Sequence, residues 1–308
     1  MNNVLEFSDA HKETKEESYW INLVQGETGL YKTEAIKELL SRHFTKRPCG
    51  DLLDIGVGTC EFILSYARER EAQSVHCMDY DQKIIAEMRS KHVSLPIQWH
   101  VADIFEIGEW GQRFDLVFLL DMLHEVYSIY GRTGEDPTST VDHVRGLSYV
   151  ARALKKVSDL VEPGGGIVIT DNLLPDELIR VRFVCRHEKC RQAVEYFLVN
   201  YPTKNLSVKI HSDGSFEIDS NDFCTLLTQY NKIKQENWER WNTERMEIHQ
   251  YMSLSEYRRE FKALGYEVFA TVGTPSGALS EWQSDFELLE GWSEFAPKRI
   301  TLFARKNE

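Results

Sequence analysis

Between Leu52 and Asn172 the apolar residues gather in short runs: Leu52-Leu53-Asp54-Ile55, Ser74-Val75-His76-Cys77-Met78, Ile97-Gln98-Trp99-His100-Val101, Phe114 to Leu120, and Ile167-Val168-Ile169. Runs of this length, closed by turn residues, predict strands buried in a sheet. Segments able to form helices lie between them, from Glu61 to Ala67 and from Val141 to Val157, the latter preceded by a polar loop over Gly131 to Thr140. Farther on, Ser253 to Leu264 reads as a helix stopped by Gly265, followed by a sixth strand at Tyr266 to Val272 and a seventh at Arg299 to Ala304. Strand and helix therefore alternate, as in an α/β protein.

Two stretches depart from that rhythm. Residues 1 to about 17 are charged and irregular, and Glu17 to Phe44 reads as a helix with Tyr19, Trp20, Leu23 and Val24 on its apolar side. Gln25-Gly26-Glu27-Thr28-Gly29 breaks its pattern as a hinge would. After the fifth strand, Pro175 to Tyr201 reads as helical. Leu206 to Ile210 and Phe216 to Ile218 then flank Ser212-Asp213-Gly214-Ser215, an Asp-Gly hairpin signal, and Asn221 to Gln250 reads as helical again. The division that follows is an N-terminal helical cap at 1–45, a core at 46–174 and 251–308, and an insertion at 175–250. An insertion there overhangs the carboxyl ends of the strands, where open α/β sheets bind ligands, so it is expected to be a substrate lid. The alternative for the same element is homodimerisation.

Composition narrows the partners. The chain has 308 residues, 42% of them hydrophobic, enough for a full core. Its net charge of −13 argues against gripping nucleic acid or an anionic membrane. No window approaches about twenty uninterrupted apolar residues and the N-terminus has no signal-peptide core, so a cytoplasmic location is expected. The six cysteines have no disulfide-framework density and read as reduced core residues.

The candidate chemistry sits at the strand ends. Asp54-Ile55-Gly56-Val57-Gly58-Thr59-Cys60 is a strand running into a glycine turn, which lets a ligand approach the backbone. A dinucleotide fingerprint wants a third glycine where Glu61 stands, and a carboxylate there would face a pyrophosphate. Asp79 closes the second run about twenty residues later, where a ribose-binding carboxylate belongs. Asp103 follows the third run and Asp121 the fourth, so acids recur along one edge of the expected sheet.

In this order, from Leu52 to Asn172, these residues resemble the class I S-adenosylmethionine-dependent methyltransferases. The resemblance implies a Rossmann-like seven-stranded, mostly parallel sheet with helices on both faces, the last strand antiparallel beside the fifth, here with an α-helical and β-hairpin lid after the fifth strand. It implies S-adenosylmethionine as cofactor: Asp54, Gly56 and Gly58 at its methionine end, Asp79 on the ribose hydroxyls, Tyr80 against adenine, Asp103 accepting from the adenine amino group, Ile104 covering the ring, and Asp121 near the methionine ammonium. Many members carry a small residue where this chain has Cys60, which leaves the fine shape of the loop open. The N-terminal aromatics would close over the cofactor, since aromatic faces attract a sulfonium, or simply pack on the core.

Methyl transfer is an in-line displacement at an activated methyl, so the protein mainly aligns the nucleophile and excludes water. An oxygen or nitrogen acceptor must still lose a proton, and His124, just past the fourth strand, is the candidate general base. The other reading of His124 is a pocket-shaping residue. Tyr127 and Tyr130 line the pocket or pack against the next helix, and Glu125 is solvated or paired. No Asp/Asn-Pro-Pro-aromatic motif, Pro-Cys nucleophile or paired-glutamate loop accompanies the fourth strand, so a small molecule is the expected acceptor, oxygen before nitrogen. No metal is assigned. Asp121, Asp171 and Asn172 resemble the magnesium site of catechol-type O-methyltransferases, but His124 stands near where that family uses lysine. Cys185, His187 and Cys190 are set aside as a zinc set because a helix would place the cysteines about 140° apart. Two other classes stay open: a catalytically silent S-adenosylmethionine-binding partner and a nucleotide-dependent oxidoreductase.

Overall fold

The computed structural model describes residues 26–46, 49–107 and 110–308. Strands β1 (Asp51–Ile55), β2 (Ser74–Asp79), β3 (Ile97–Val101), β4 (Phe114–Leu120) and β5 (Val161–Asn172) pair in parallel, with α2 (Glu61–Glu69), α3 (Gln82–Lys91), α4 (Leu123–Gly131) and α5 (His143–Asp159) in the crossovers. An N-terminal helix, α1 (Glu27–His43), precedes them. With β9 (Tyr266–Gly273) and β11 (Arg299–Lys306) they form one seven-stranded sheet in the order β3-β2-β1-β4-β5-β11-β9, β11 running antiparallel to both its neighbours. This is the topology the resemblance implied.

The apolar runs are continuous because both faces are covered. Along β4, Val117 and Leu119 join a cluster with Val150, Leu154 and Phe261, whereas Leu116 and Phe118 join another with Ile36, Ile63 and Ile85. Successive side chains point to opposite faces, so α4, α5 and α9 (Leu254–Ala263) cover one and α1, α2 and α3 the other. Helix starts follow local chemistry: Asp81 and Asp142 accept N-terminal amides of α3 and α5, and Ser253 with Glu256 forms a capping box on α9.

One close approach in this sheet is testable. A Cβ on Gly166 would collide with the Phe303 ring and lie 2.7 Å from the Ala304 carbonyl oxygen, both on β11. Gly166→Ala should therefore lower stability by about 1–3 kcal/mol or more through overpacking, seen as a fall in the thermal midpoint. An unchanged midpoint would show that β11 can move aside.

Beyond β5 the chain builds a second layer. A four-stranded sheet in the order β10-β6-β8-β7 combines β6 (Arg180–Cys185), β7 (Val208–Ile210), β8 (Phe216–Asp219) and β10 (Phe286–Glu290), all antiparallel. Packed on it are α6 (Glu188–Asn200), α7 (Ser220–Lys234) and α8 (Trp238–Glu244), around Phe183, Phe216, Phe223 and Trp241. Three expectations are corrected here. Residues 180–185 are a strand, since Val181 and Phe183 alternate inward between Arg180 and Arg182. The helix expected over Asn221 to Gln250 is two helices and a loop. The second layer also takes α10 (Ser276–Asp285) and β10, both expected in the core, because Phe286 to Glu290 pair with β6. At the N-terminus, Glu27 to Gly29 form the first turn of α1 rather than a hinge, and Tyr19, Trp20, Leu23 and Val24 lie outside the described residues. No described helix is long and apolar enough to cross a membrane.

Candidate active site

The glycine turn after β1 is built by backbone conformation. Gly56 (φ 78°) and Gly58 (φ 48°) are left-handed, and the Gly56 amide donates to the Met78 carbonyl at 2.9 Å, tying the turn to β2. A Cβ on Gly56 would lie 3.0 Å from the Met122 Cβ, so the loop lies against the residue that leads into α4. Cys60 is also left-handed, at φ 51°, and serves as the N-cap of α2. A buried thiol side chain thus occupies the position where a small residue is usual, and the loop accommodates it through an unusual backbone angle for a residue with a Cβ.

Asp54 and Asp79 are brought together at the ends of adjacent strands, both almost fully buried. Burial pushes the Asp54 carboxyl well above its usual range, and the Asp79 carboxylate adds to the rise. Asp79 Oδ1 accepts the Asp81 amide at 2.9 Å, which fixes its orientation. Tyr80 follows, half-buried, and Ile104 is buried beneath the same strand ends. Asp103 accepts the Phe105 amide at 2.7 Å on one oxygen and the Tyr130 hydroxyl at 2.5 Å on the other. Tyr130 thereby orients the expected adenine-reading carboxylate, while Tyr127 is turned to His143 Nδ1 at 2.8 Å and stacks on Tyr251.

Asp121 has company that the sequence did not announce. Lys32 of α1 reaches it at 2.6 Å and Arg299, at the start of β11, pairs with its other oxygen. Burial would raise this carboxyl, but Arg299 and Lys32 outweigh it and hold it well below the usual range. A methionine ammonium near Asp121 would meet two resident cations. In the magnesium set considered with Asp171 and Asn172, a metal would have to displace these two cations from Asp121.

His124, the expected general base, lies between two carboxylates. Its Nδ1 lies 2.9 Å from Asp171 Oδ1, its backbone amide donates to Asp171 Oδ2 at 3.1 Å, and its Nε2 faces Glu247 Oε2 at 3.4 Å. Burial would lower its pKa, yet the two carboxylates override that and raise it well above the ordinary value. Nδ1 is committed to Asp171, so any exchange of a proton or ligand at this ring falls to Nε2, which faces Glu247. Tyr251 donates to Asp171 Oδ2 at 3.1 Å, and His249 stacks on His124 with ring centres 4.8 Å apart. Glu247 and His249 come from the loop after α8, inside the insertion, where no local spacing marks them.

The cysteine set also needs a different reason for rejection. Cys185 ends a strand and Cys190 lies on α6, and their thiols are hydrogen-bonded neighbours rather than points 140° apart on a helix. His187 is spent instead: Nε2 on Asp285 at 2.9 Å and Nδ1 accepting the Cys190 amide. All six cysteines are reduced, five of them buried. A cavity of 270 Å³ lined by Trp110, Gln112, Arg113, Lys156 and Asp159 lies beside the start of β4, at the opposite end of the strand from this site.

The strand order and glycine turn define a Rossmann-like α/β protein that carries Asp54, Asp79, Asp103 and Asp121 at one edge of its sheet. Residues 52–130 match the family model of a methyltransferase domain. Demethylmenaquinone methyltransferases of Chlamydia trachomatis serovars L2 and D are 25% identical over 124 residues, covering 40% of this chain and 45% of theirs. The chain thus spans less than half the length of the curated relatives it matches. Among solved structures, an S-adenosylmethionine-dependent methyltransferase from Clostridium acetobutylicum is 14% identical with a TM-score of 0.49, covering 94% of this chain and 96% of that one. One from Mesorhizobium loti is 16% identical with a TM-score of 0.47, covering 88% and 96%. The family match thus places a methyltransferase domain at residues 52–130, within the strands that carry the glycine turn and the strand-end acids.

Proposed function

We propose that this chain transfers the methyl group of S-adenosylmethionine to a small-molecule acceptor, at oxygen in preference to nitrogen. The observation that carries this reading is the buried Asp54–Asp79 pair beside a left-handed glycine turn, within the residues that match the methyltransferase domain. Two carboxylates so placed suit a donor with a cationic amino acid end and a ribose diol. Asp103, oriented by Tyr130, suits the adenine amino group. The relatives' name, demethylmenaquinone methyltransferase, is consistent with a small acceptor, and the net charge of −13 with an acceptor that is not a nucleic acid.

His124 has a different part from the base first expected of it. Held by Asp171 and two residues from Met122, which packs on the glycine turn, it is assigned to the wall of the acceptor site. Catalysis then rests on alignment and exclusion of water. Formation of S-adenosylhomocysteine, followed by mass spectrometry over a panel of phenols, alcohols and amines, tests the reading. Donor binding with no turnover on any acceptor would favour the silent binding partner.

Donor binding should also release a proton. The free Asp54 carboxyl favours its neutral form because burial and Asp79 oppose charge, and a cation set before it favours the carboxylate. Affinity should therefore rise with pH through the raised Asp54 pKa and level off above it. Calorimetry in buffers of different ionisation enthalpy will show the released proton. Asp54→Asn should abolish it, and proton release persisting in that variant would assign it elsewhere.

A further inference from the structure

We propose that His124, Glu247 and His249 form a binding site for one divalent cation of the zinc class. One ligand atom from each of the three residues lies within 4.8 Å of the others. His124 Nε2 and His249 Nε2 each stand 3.4 Å from Glu247 Oε2. A buried charge-assisted hydrogen bond closes to about 2.7–2.9 Å, so both contacts are too long to be that. These two separations match the edge of a tetrahedron whose centre lies about 2.0–2.1 Å from nitrogen and oxygen ligands, a length of roughly 3.4 Å, while the third, up to 4.8 Å, shortens as the two imidazoles turn onto the ion. An octahedral ion with bonds of about 2.1 Å would draw neighbouring ligands to roughly 3.0 Å, a poorer match.

The surroundings are those of a metal site rather than a solvated charge cluster. His124, Glu247 and His249 are 6%, 2% and 7% exposed. Asp171, fully buried, holds the far nitrogen of His124 at 2.9 Å and is itself fixed by the His124 amide and the Tyr251 hydroxyl. A carboxylate behind a ligating imidazole is the arrangement that orients such rings and raises their basicity. On the other side, Gln229 Nε2 lies 3.4 Å from His249 Nδ1, and its oxygen accepts from Lys232 at 2.9 Å. Glu244 Oε2 is 3.3 Å from His249 Nε2 but is drawn off by Lys232, and Arg240 binds its other oxygen at 2.6 Å. Two imidazoles and one carboxylate therefore supply three ligands, leaving a fourth position for water or an acceptor heteroatom, as in catalytic zinc sites.

The site joins the two layers of the molecule. His124 comes from α4 at the end of β4, and Glu247 and His249 from the loop that leaves the second layer. His124 stands two residues after Met122, which packs against the glycine loop, so an ion here would be placed to bind an acceptor heteroatom. That role rests on the methyltransferase reading; the binding of the ion does not.

The test uses full-length protein purified without a metal-chelate column. Elemental analysis should find about one equivalent of zinc per chain. Exchange with cobalt(II) should give the strong visible absorption of a tetrahedral site. Glu247→Gln and His249→Ala should each lose the metal and the cobalt band, and S-adenosylmethionine binding by the same samples would show that the fold survives. Wild-type protein that carries no metal, takes none up on titration with zinc or cobalt, and gives no cobalt band overturns the site and leaves a proton-linked cluster. Metal retained by both variants overturns it as well. Metal bound without any donor binding would instead leave the site standing and remove the methyltransferase reading.

Discussion

Replacing Asp79 by alanine is expected to weaken S-adenosylmethionine binding by roughly a hundredfold, the loss of about 3 kcal/mol carried by two hydrogen bonds to a charged acceptor. The carboxylate is prepared for that task before any ligand arrives. It is 6% exposed, and one oxygen is pinned at 2.9 Å by the amide of Asp81, which in turn caps α3 by accepting the Lys83 amide at 2.8 Å. A ribose diol meeting this carboxylate pays little for its ordering. Asp79→Asn keeps one acceptor oxygen and the local turn, so it should lose less. Removing Asp79 should also ease the ionisation of Asp54, since the Asp79 charge opposes it. Calorimetry at neutral pH, with the thermal midpoint as the check on folding, measures the effect. Alanine and wild-type proteins with equal dissociation constants would place the ribose elsewhere.

The glycine turn and the acids at the strand ends were readable in the sequence because each of these parts is local. A buried run, a glycine turn and an acid at a strand end are encoded within a few residues, and a parallel sheet delivers successive strand ends to one edge whatever the loops do. The second layer was not readable for the opposite reason. Phe286 pairs with Cys185 across about a hundred residues, so nothing near either position signals the partner. The Arg-Val-Arg-Phe alternation at 180–183 was visible, but the adjacent helix α6 drew the whole segment into one helical reading. The same non-locality hid the partners of the site. Lys32 and Arg299 reach Asp121 from opposite ends of the chain, and Glu247 reaches His124 from beyond the second layer. A histidine after a fourth strand looks like a base until its neighbours are known, and those neighbours are contributed by the fold.

Asp121 is a largely buried carboxylate held by two cations, and its neutralisation should have a large effect on stability. Its side chain is 15% exposed and that of Arg299 only 6%, so removing the carboxylate charge leaves a buried guanidinium uncompensated. Asp121 also has φ 54°, a left-handed angle that asparagine tolerates better than most residues, so Asp121→Asn removes charge with little added backbone strain. The expected loss is about 3–5 kcal/mol, the usual range for breaking a buried pair from one side. Asp121→Asn combined with Arg299→Met should recover much of it, since the stranded cation is then gone. Acidity should erase the difference in a defined direction. The folded pKa of Asp121 is depressed by Arg299 and Lys32, so its contribution is complete above the unfolded value of about 3.9 and is lost as pH falls below it. Urea unfolding should therefore show a constant gap between wild type and Asp121→Asn from neutral pH down to about pH 5, and a narrowing gap below about pH 4. A gap that stayed constant into strong acid would mean that Arg299 is held by groups other than this carboxylate.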